Sequence, residues 1–307
     1  MIALALTKRA QGYLDARFFA RCAVIDNFQV FATLLLEEGK MGMPLDLVLV
    51  RHGESEGNVA IEYSKRGDNR FFTAEFRARH SSQWRLTDTG RRQAMIAGTW
   101  IRDNVGAPFD RYYTSEYLRA RETAAYLHLP DARWYADFYL RERDRGTLDV
   151  VTHAELKTLY ADERRRRRID PFYWCPPGGE SMATLCLRID RVLDTLHREC
   201  DSKRVIMVMH GETMWAFRIR LERLSQSRCR SLDESVDPRD RIHNGQVILY
   251  TRINPQTNAV SPYMNWMYSA CPTDPSLHTH GWEEIRRPSY SNDDLLAGTD
   301  TVKRLIV

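Results

Sequence analysis

The chain lacks the cysteine patterns that stabilise small secreted domains or hold structural zinc ions. Its 307 residues include six cysteines, and no two of them stand at the Cys-x-x-Cys spacing of a metal or redox motif. Scattered cysteines in a chain of this length are more typical of reduced thiols than of a disulfide framework. We therefore expect neither a disulfide scaffold nor a zinc ribbon.

Long apolar runs and a strong excess of one charge are also missing. No stretch approaches the roughly 20 apolar residues that span a bilayer, and Lys8 and Arg9 follow the first apolar residues too soon for a secretory leader. The 45 basic residues barely exceed the 41 acidic ones, so there is no concentrated basic footprint of a nucleic-acid binder. We expect a cytoplasmic protein with neither a membrane nor a nucleic-acid partner.

The chain does contain an apolar segment, Leu47 to Val50, that ends abruptly in Arg51-His52-Gly53. A continuous apolar run with β-branched residues is typical of a buried parallel strand. Open α/β sheets form their ligand crevices at the carboxyl ends of such strands. The pattern therefore predicts that the guanidinium of Arg51 and the imidazole of His52 lie in a crevice, next to a tight turn at Gly53.

Strands and helices alternate along the rest of the chain. Further strands are predicted over 110–115, 204–209 and 246–252, and helices begin near 87 and 181, the second with apolar residues at helical spacing. This alternation predicts an α/β fold, a three-layer αβα sandwich around a mostly parallel central sheet.

Four more motifs follow the first one in order. Their residues are Tyr112 to Ser115 with Arg119, Leu140 to Glu142 with Gly146, Pro177 to Ser181, and Val205 to Gly211. Together the five blocks resemble the histidine phosphatase superfamily, also called the phosphoglycerate-mutase-like family. The resemblance extends over about residues 45–255, and five ordered blocks are far more specific than any one motif.

The resemblance implies a phosphoryl-transfer site that uses neither a metal nor a cofactor. In such a site His52 is the nucleophile that forms a covalent phosphohistidine. Arg51 and Arg119 would grip the phosphoryl oxygens, because a guanidinium matches phosphate bidentately. His210 would hydrogen-bond the transferring group, and the amide of Gly211 at the start of a helix suits an anion. Without its block, Arg119 would be expected in a surface ion pair with Glu116 or Glu122.

Two further roles are carried over from the resemblance. Glu142 would be the general acid that protonates the leaving oxygen, which requires a pKa raised from its ordinary value of about 4.3 toward neutrality. Asp144 is the rival carboxylate, but the four-residue offset from Glu142 to Gly146 matches the family's acid. The amide of Asn58 could donate to a phosphoryl oxygen.

The superfamily contains phosphatases, mutases and members that mainly bind. The Phe-Thr-Gly-Trp and Glu-Arg-x-Tyr-Gly stretches of the mutases are missing, and an insertion over 59–85 and a Glu142-Arg143-Asp144-Arg145-Gly146 segment stand in their places. We predict a phosphatase acting on a small phosphorylated substrate. The alternatives are a phosphoglycerate-mutase-type phosphotransferase and a phosphate-binding regulatory or scaffold protein with little turnover.

Domain boundaries follow from the extent of the motifs. We predict an N-terminal extension over 1–43, a catalytic domain over 44–275 and a C-terminal tail over 276–307. The extension is either helical and packed on the core or poorly ordered.

Three charged or histidine-containing features lie outside the motifs. The insertion either selects substrate through Lys65, Arg66 and Arg70 or is a solvated loop. The Arg164–Arg168 run is expected to be a solvated helix end, and His278-x-His280 lacks a third ligand for a metal.

Overall fold

The computed structural model describes residues 42–300 and 302–306, so the predicted N-terminal extension lies outside the described residues except at its last two positions. Seven strands form one sheet within this part of the chain. The strands are β1 (Asp46–Arg51), β2 (Arg111–Ser115), β3 (Trp134–Asp137), β4 (Arg204–Met209), β5 (Val247–Thr251), β6 (Trp266–Ala270) and β7 (Glu283–Glu284).

The same residues form ten α-helices. They are α1 (Glu56–Lys65), α2 (Ala74–Ala78), α3 (Asp88–Asn104), α4 (Leu118–Tyr126), α5 (His153–Thr158), α6 (Ala161–Ile169), α7 (Met182–Glu199), α8 (Gly211–Glu222), α9 (Gln226–Asp233) and α10 (Asn292–Asp300). Side-chain oxygens cap the two helices predicted with most detail. Thr87 directly precedes α3 and accepts from the amide of Gly90. Ser181 directly precedes α7 and accepts from the amide of Thr184.

Residues of the central strands alternate between two hydrophobic cores. Leu47 and Leu49 pack in one core with residues of α7 and α8, whereas Val48 and Val50 pack in the other with residues of α3 and α4. All four side chains are fully buried. Helices thus cover both faces of the sheet, which explains the unbroken apolar run of β1 and confirms the predicted three-layer α/β sandwich.

The sheet is mixed. Its strand order is β3-β2-β4-β1-β5-β6-β7, and only the first four strands are parallel to one another. β5, β6 and β7 are antiparallel to their neighbours. Two parallel neighbouring strands need a crossover connection between them, usually a helix. Residues 252–265, between β5 and β6, contain no helix, which agrees with the antiparallel pairing of these two strands. β7 pairs with β6, so part of the predicted C-terminal tail belongs to the sheet.

The insertion over 59–85 is folded on the body of the protein. It contains most of α1, all of α2 and a 3₁₀ helix at Ser81–Gln83. The rings of Phe76 and Trp84 stack with their centroids 4.8 Å apart. Arg77 donates to the carboxylate of Glu155 on α5, at 3.0 Å to each oxygen. Aromatic packing and this ion pair therefore give the segment a defined position.

The basic run forms the end of a helix, as predicted. Arg164 to Arg168 follow the first turn of α6, extend almost to its last residue and are exposed. Two of them pair with acidic residues one turn earlier, Arg165 with Asp162 and Arg166 with Glu163. Across the described residues, every helix is too short or too polar to cross a membrane.

Candidate active site

The two motif histidines lie side by side at the carboxyl edge of the sheet. β1 and β4 are parallel neighbours with Arg51 opposite Met209, so His52 and His210 leave the sheet at the same level. Their ring centroids are 5.1 Å apart and the ring planes meet at 62°. The two residues are only 2% and 0% exposed. The strand ends therefore bring both imidazoles into the predicted crevice.

Hydrogen bonds hold the ring of His52 in one tautomer. Its Nδ1 lies 2.7 Å from the carbonyl oxygen of Gly53, and because a carbonyl only accepts, Nδ1 carries the proton. The lone pair of Nε2 accepts a hydrogen bond from Arg119 Nε at 3.2 Å. Burial and the charges of Arg119 and Arg51 hold the pKa of His52 well below its usual value. The imidazole is thus neutral and has the lone pair of a nucleophile at Nε2.

Arg119 points into the site from the first turn of α4. The residue is 5% exposed, and its Nη1 donates to the carbonyl oxygen of Ser81 at 2.6 Å. Its guanidinium carbon lies 4.9 Å from the ring centroid of Tyr117. Glu122 of the same helix is hydrogen-bonded to Arg85 instead, so the alternative surface pair is not made. Within the described residues Nη2 of Arg119 has no acceptor, which leaves it available to a ligand.

Further donors around the imidazoles are unpaired. Arg51 Nη1 donates to the carbonyl oxygen of Ile242 at 2.6 Å, but its buried Nε has no partner among the described residues. The buried Nδ1 of His210 is unpaired in the same way. A Cβ on Gly211 would lie 3.2 Å from Arg51 Nε, so glycine keeps this space open. Unpaired buried donors cost stability, and their convergence here is typical of an anion site.

Ser115, at the end of β2, orients the second imidazole. Its Oγ lies 2.8 Å from His210 Nε2 and accepts from the amide of Tyr117 at 3.3 Å. The hydroxyl can donate to Nε2 or accept from it, and donation corresponds to the tautomer with the imidazole proton on Nδ1. Burial and the charge of Arg119 hold the pKa of His210 well below its usual value. His210 is then neutral, and in the tautomer with the proton on Nδ1 this buried nitrogen is a donor without a partner among the described residues.

Glu142 lies against the amino terminus of α8. Its carboxylate accepts from the amides of the second and third helix residues at 3.4 and 3.2 Å. Burial and the negative charge of Glu212 raise the pKa of Glu142, although Arg119 and Arg51 are close enough to oppose the rise. A carboxyl with a raised pKa beside a neutral histidine suits proton donation.

Glu212 is a site residue that the sequence analysis missed. Its Oε1 accepts from Arg145 Nη2 at 3.2 Å and lies 3.6 Å from Arg143 Nη1. Burial alone would raise the pKa of Glu212, but these two arginines together lower it to about 2. Glu212 therefore stays ionised next to Glu142. Its position directly after His210-Gly211 is the one feature of the sequence that indicates a place in the site.

The rival acid Asp144 has a structural contact. Its Oδ1 accepts from the amide of Gly146 at 2.7 Å. Gly146 has a φ of 54°, and a Cβ there would lie 2.1 Å from the carbonyl oxygen of Pro177. The glycine four residues after Glu142 therefore permits a close turn that Asp144 stabilises.

Asn58 lies beside the site on α1 with its amide oxygen already bonded. Oδ1 accepts from the amide of Ser55 and from Asn244 Nδ2, both at 3.1 Å. Asn244 Nδ2 also donates to the carbonyl oxygen of His52 at 3.0 Å. No sequence pattern around Asn244 predicts this contact, because a single asparagine in a loop is common. Nδ2 of Asn58 donates to no acceptor in the described part of the chain, so its contact with a phosphoryl oxygen stays a prediction.

An open cleft of about 710 Å³ is lined in part by Tyr117, whose ring centroid lies 5.1 Å from that of His210. It is lined by Arg79, Ser82, Gln83, Arg85, Glu116, Tyr117 and Leu118. The insertion thus forms one wall, but not through the predicted cations. Lys65 and Arg66 pair with Glu62, and Arg70 pairs with Asp68, all at the surface.

The two C-terminal histidines each contact other protein groups. His278 lies 3.1 Å from the carbonyl oxygen of Cys271 through Nε2 and 3.4 Å from the hydroxyl of Tyr268 through Nδ1, and His280 contacts Arg239. Residues 42–300 and 302–306 contain no group of three or more His, Cys, Asp or Glu arranged to hold a metal ion.

Comparison with known sequences gives a family match and several relatives. The sequence profile of the histidine phosphatase superfamily, branch 1, matches residues 47–236. The 2,3-bisphosphoglycerate-dependent phosphoglycerate mutase of Methylocella silvestris is 30% identical over 188 residues, 58% of this chain and 82% of the relative. Its counterpart from Azorhizobium caulinodans is 31% identical over 191 residues, with the same two coverages.

Solved structures of two phosphatases have a similar fold. Alpha-ribazole phosphatase from Shigella flexneri superimposes with a TM-score of 0.53 at 22% identity, covering 71% of this chain and 96% of the other. Mycobacterial glucosyl-3-phosphoglycerate phosphatase gives a TM-score of 0.53 at 23% identity, covering 67% and 92%. At these identities the likeness concerns the fold alone.

Proposed function

Because the chain belongs to the histidine phosphatase superfamily, we propose that it hydrolyses phosphate monoesters through a phosphohistidine at His52, without a metal. The observation that carries the proposal is the neutral His52, whose Nε2 lone pair faces Arg119, while Arg51 Nε and His210 Nδ1 have no partner among the described residues. A dianionic phosphoryl group would satisfy those donors. It would also place its phosphorus in reach of Nε2.

The first step transfers the phosphoryl group to the protein. The lone pair of His52 Nε2 forms a bond to phosphorus while the bond from phosphorus to the ester oxygen breaks. Arg51, Arg119 and His210 stabilise the charge on the phosphoryl oxygens. Protonated Glu142 donates its proton to the leaving oxygen, which departs as an alcohol.

The second step returns the site to its starting state. Ionised Glu142 accepts a proton from a water molecule as that water attacks phosphorus. The bond between phosphorus and Nε2 breaks, and the electron pair returns to His52. Inorganic phosphate leaves, and Glu142 is again protonated. The hydrogen bond from Nδ1 to the carbonyl of Gly53 keeps the nucleophilic nitrogen unprotonated throughout.

A phosphoglycerate mutase is the second candidate, favoured by the names of the relatives. A mutase must keep its phosphohistidine from water until the intermediate is rephosphorylated. The mutase stretches are missing from this chain, because the folded insertion and the Arg143-Asp144-Arg145 segment stand in their places. This difference supports hydrolysis.

Purified protein should release inorganic phosphate from p-nitrophenyl phosphate and from a subset of phosphorylated metabolites after exhaustive chelation. The His52→Ala variant should lose essentially all of this activity, whereas His197→Ala, an exposed histidine on α7, should retain it. Incubation with 3-phosphoglycerate and a bisphosphoglycerate primer separates the candidates. Rapid formation of 2-phosphoglycerate with little phosphate released would favour the mutase, and binding of esters without turnover would favour a regulatory protein.

A further inference from the structure

A chain of hydrogen bonds joins the insertion to the arginine that faces the phosphoryl site. Arg119 Nη1 donates to the carbonyl oxygen of Ser81 at 2.6 Å. Ser81 Oγ in turn donates to Oδ2 of Asp149 at 2.7 Å. Ser81 is 7% exposed, so water competes little for either contact. The chain connects three segments that are far apart in sequence: the insertion, α4 and the loop that follows Glu142.

We propose that Ser81 and Asp149 are positioning residues that orient the guanidinium of Arg119 for the phosphoryl group. The inference rests on the proposed function, because that function assigns the phosphate-binding role to Arg119. Neither Ser81 nor Asp149 takes part in the two chemical steps, so both act through Arg119.

The geometry of a guanidinium explains why two contacts suffice. Its donors lie in one plane at fixed angles. Arg119 Nε is bonded to His52 Nε2, and Nη1 is bonded to the carbonyl of Ser81. With two of its three nitrogens held, the direction of the free Nη2 is determined before a ligand binds. Such preorganisation removes the cost of ordering the side chain during binding and reaction.

Asp149 provides the fixed end of this chain. It directly follows the 3₁₀ helix at Gly146–Leu148, in the loop that carries Glu142. The next residue along, Val150, accepts from Arg77 of the insertion at 2.9 Å, so the two segments are joined at adjacent positions. The hydrogen bond between Ser81 and Asp149 therefore also connects the loop of Glu142, the proposed proton donor, to Arg119.

Ser81 contributes two separable groups, which makes the proposal testable. Its carbonyl binds Arg119, whereas only its hydroxyl binds Asp149. Ser81→Ala therefore removes the link to Asp149 and leaves the direct acceptor of Arg119 in place. Asp149→Ala removes the same link from the other side, and Asp149→Asn retains an acceptor oxygen for the hydroxyl.

The experiment measures kcat and KM for p-nitrophenyl phosphate, whose activated leaving group needs little help from Glu142, and the inhibition constant of inorganic phosphate. We expect Ser81→Ala and Asp149→Ala each to lower kcat/KM roughly tenfold and to weaken phosphate inhibition similarly, the scale of one hydrogen bond. The double variant should be no worse than either single variant. Asp149→Asn should retain activity within about twofold of the wild type, since the bond is kept.

Two comparisons separate positioning from a general structural effect. Ser291 Oγ donates to Asp294 Oδ2 at 2.7 Å near the C-terminus, so Ser291→Ala removes an equally long bond of the same type and should leave kinetics unchanged. In an Arg119→Lys background the fixed fork is gone, and Ser81→Ala should then have little further effect on kcat/KM.

The proposal is overturned if Ser81→Ala lowers only the melting temperature while kcat/KM and phosphate inhibition stay at wild-type values. It is also overturned if the full loss persists in the Arg119→Lys background. If the wild type hydrolyses no ester, the proposed function fails by itself, and calorimetry with inorganic phosphate replaces the kinetics. Phosphate binding that is absent, or equally tight in all variants, would then contradict the positioning role.

Discussion

At the phosphate end of the proposed site, Arg51, His52 and His210 come from the carboxyl ends of two adjacent strands. At its leaving-group end, Glu142 lies in a loop placed by side chains of other segments. The strand ends are related by six consecutive β1–β4 residue pairs. The loop depends on individual contacts such as those of Arg188, which donates to the backbone carbonyl of Arg141 at 3.0 Å. Regular backbone pairing thus places the residues of the phosphate end, whereas separate side-chain hydrogen bonds place Glu142.

The two ends also differ in charge. Around His52 and His210 the imidazoles are neutral, and Arg51 Nε and His210 Nδ1 have no partner among the described residues. Around Glu142, the charge of Glu212 is paired with Arg143 and Arg145, and burial together with that charge raises the pKa of Glu142. The phosphate end therefore has hydrogen bonds left to make, whereas the charges of the acid end are already paired.

The largest selective effect is expected at the leaving-group end. Glu142→Gln should slow hydrolysis of esters with poor leaving groups by roughly 10²–10⁴, the usual scale of acid catalysis. Because activated esters need little protonation, p-nitrophenyl phosphate should be affected much less. Steady-state rates across a series of leaving groups measure the contrast. If Asp144→Asn gives this pattern and Glu142→Gln does not, the two carboxylates have exchanged roles.

The phosphate end should respond without such selectivity. Arg119→Lys replaces a fork by a point charge and should lower kcat/KM by roughly 10²–10³, the scale of losing an oxyanion donor. Good and poor leaving groups should suffer equally, because both transfer the same phosphoryl group. Arg121→Lys, on the exposed side of the same helix, is the matched control. If Arg119→Lys lowers kcat/KM only for esters with poor leaving groups, Arg119 does not act on the phosphoryl group alone, and the proposed separation of a phosphate end from a leaving-group end is wrong.

The paired acids predict a shift in pH dependence. Glu142 must be protonated in the first step, so with poor leaving groups kcat should fall as pH rises through its raised pKa. Burial and the charge of Glu212 both raise this pKa, and Glu212→Gln removes only the charge, while Arg119 and Arg51 continue to lower the pKa. The alkaline limb should therefore move to lower pH, and in Glu142→Gln it should disappear. An unmoved limb, with Glu284→Gln as surface control, would exclude Glu212 as the cause.

The smallest effect is expected at the exposed cations of the insertion. Lys65, Arg66 and Arg70 are paired with neighbouring carboxylates at the surface and do not line the cleft. Exposed pairs of this kind contribute little. Substituting glutamine at all three positions should change KM by less than about twofold for any substrate. A large rise in KM for one metabolite, but not for p-nitrophenyl phosphate, would restore them as substrate contacts.

The sequence predicted the phosphate end because its signals are local. An apolar run predicts β1, and Arg51 and His52 lie at its end, so the strand and its site residues appear in one short segment of the sequence. β4 and His210 repeat this pattern. The short edge strand β3 has only partly buried or exposed residues and thus no comparable apolar run.

The parts that escaped prediction depend on contacts between distant segments. Ser81 and Asp149 are 68 positions apart, and Asn244 meets the carbonyl of His52 from 192 positions away. Polar residues in turns carry no periodic pattern, so no signal singles them out before the chain is folded. The helices of the insertion were missed for a related reason, since aromatic stacking on Trp84 stabilises what composition alone suggests is a polar loop.

The central claim is that His52 carries the phosphoryl group between the two steps. Rapid quenching of the wild type with a ³²P-labelled ester, followed by peptide mapping under alkaline conditions, measures this directly, because phosphohistidine survives base and is lost in acid. The account predicts one acid-labile phosphoryl group per chain at His52, formed at least as fast as phosphate is released and absent from His52→Ala. Label on another residue, or turnover without a phosphoenzyme at His52, would contradict it.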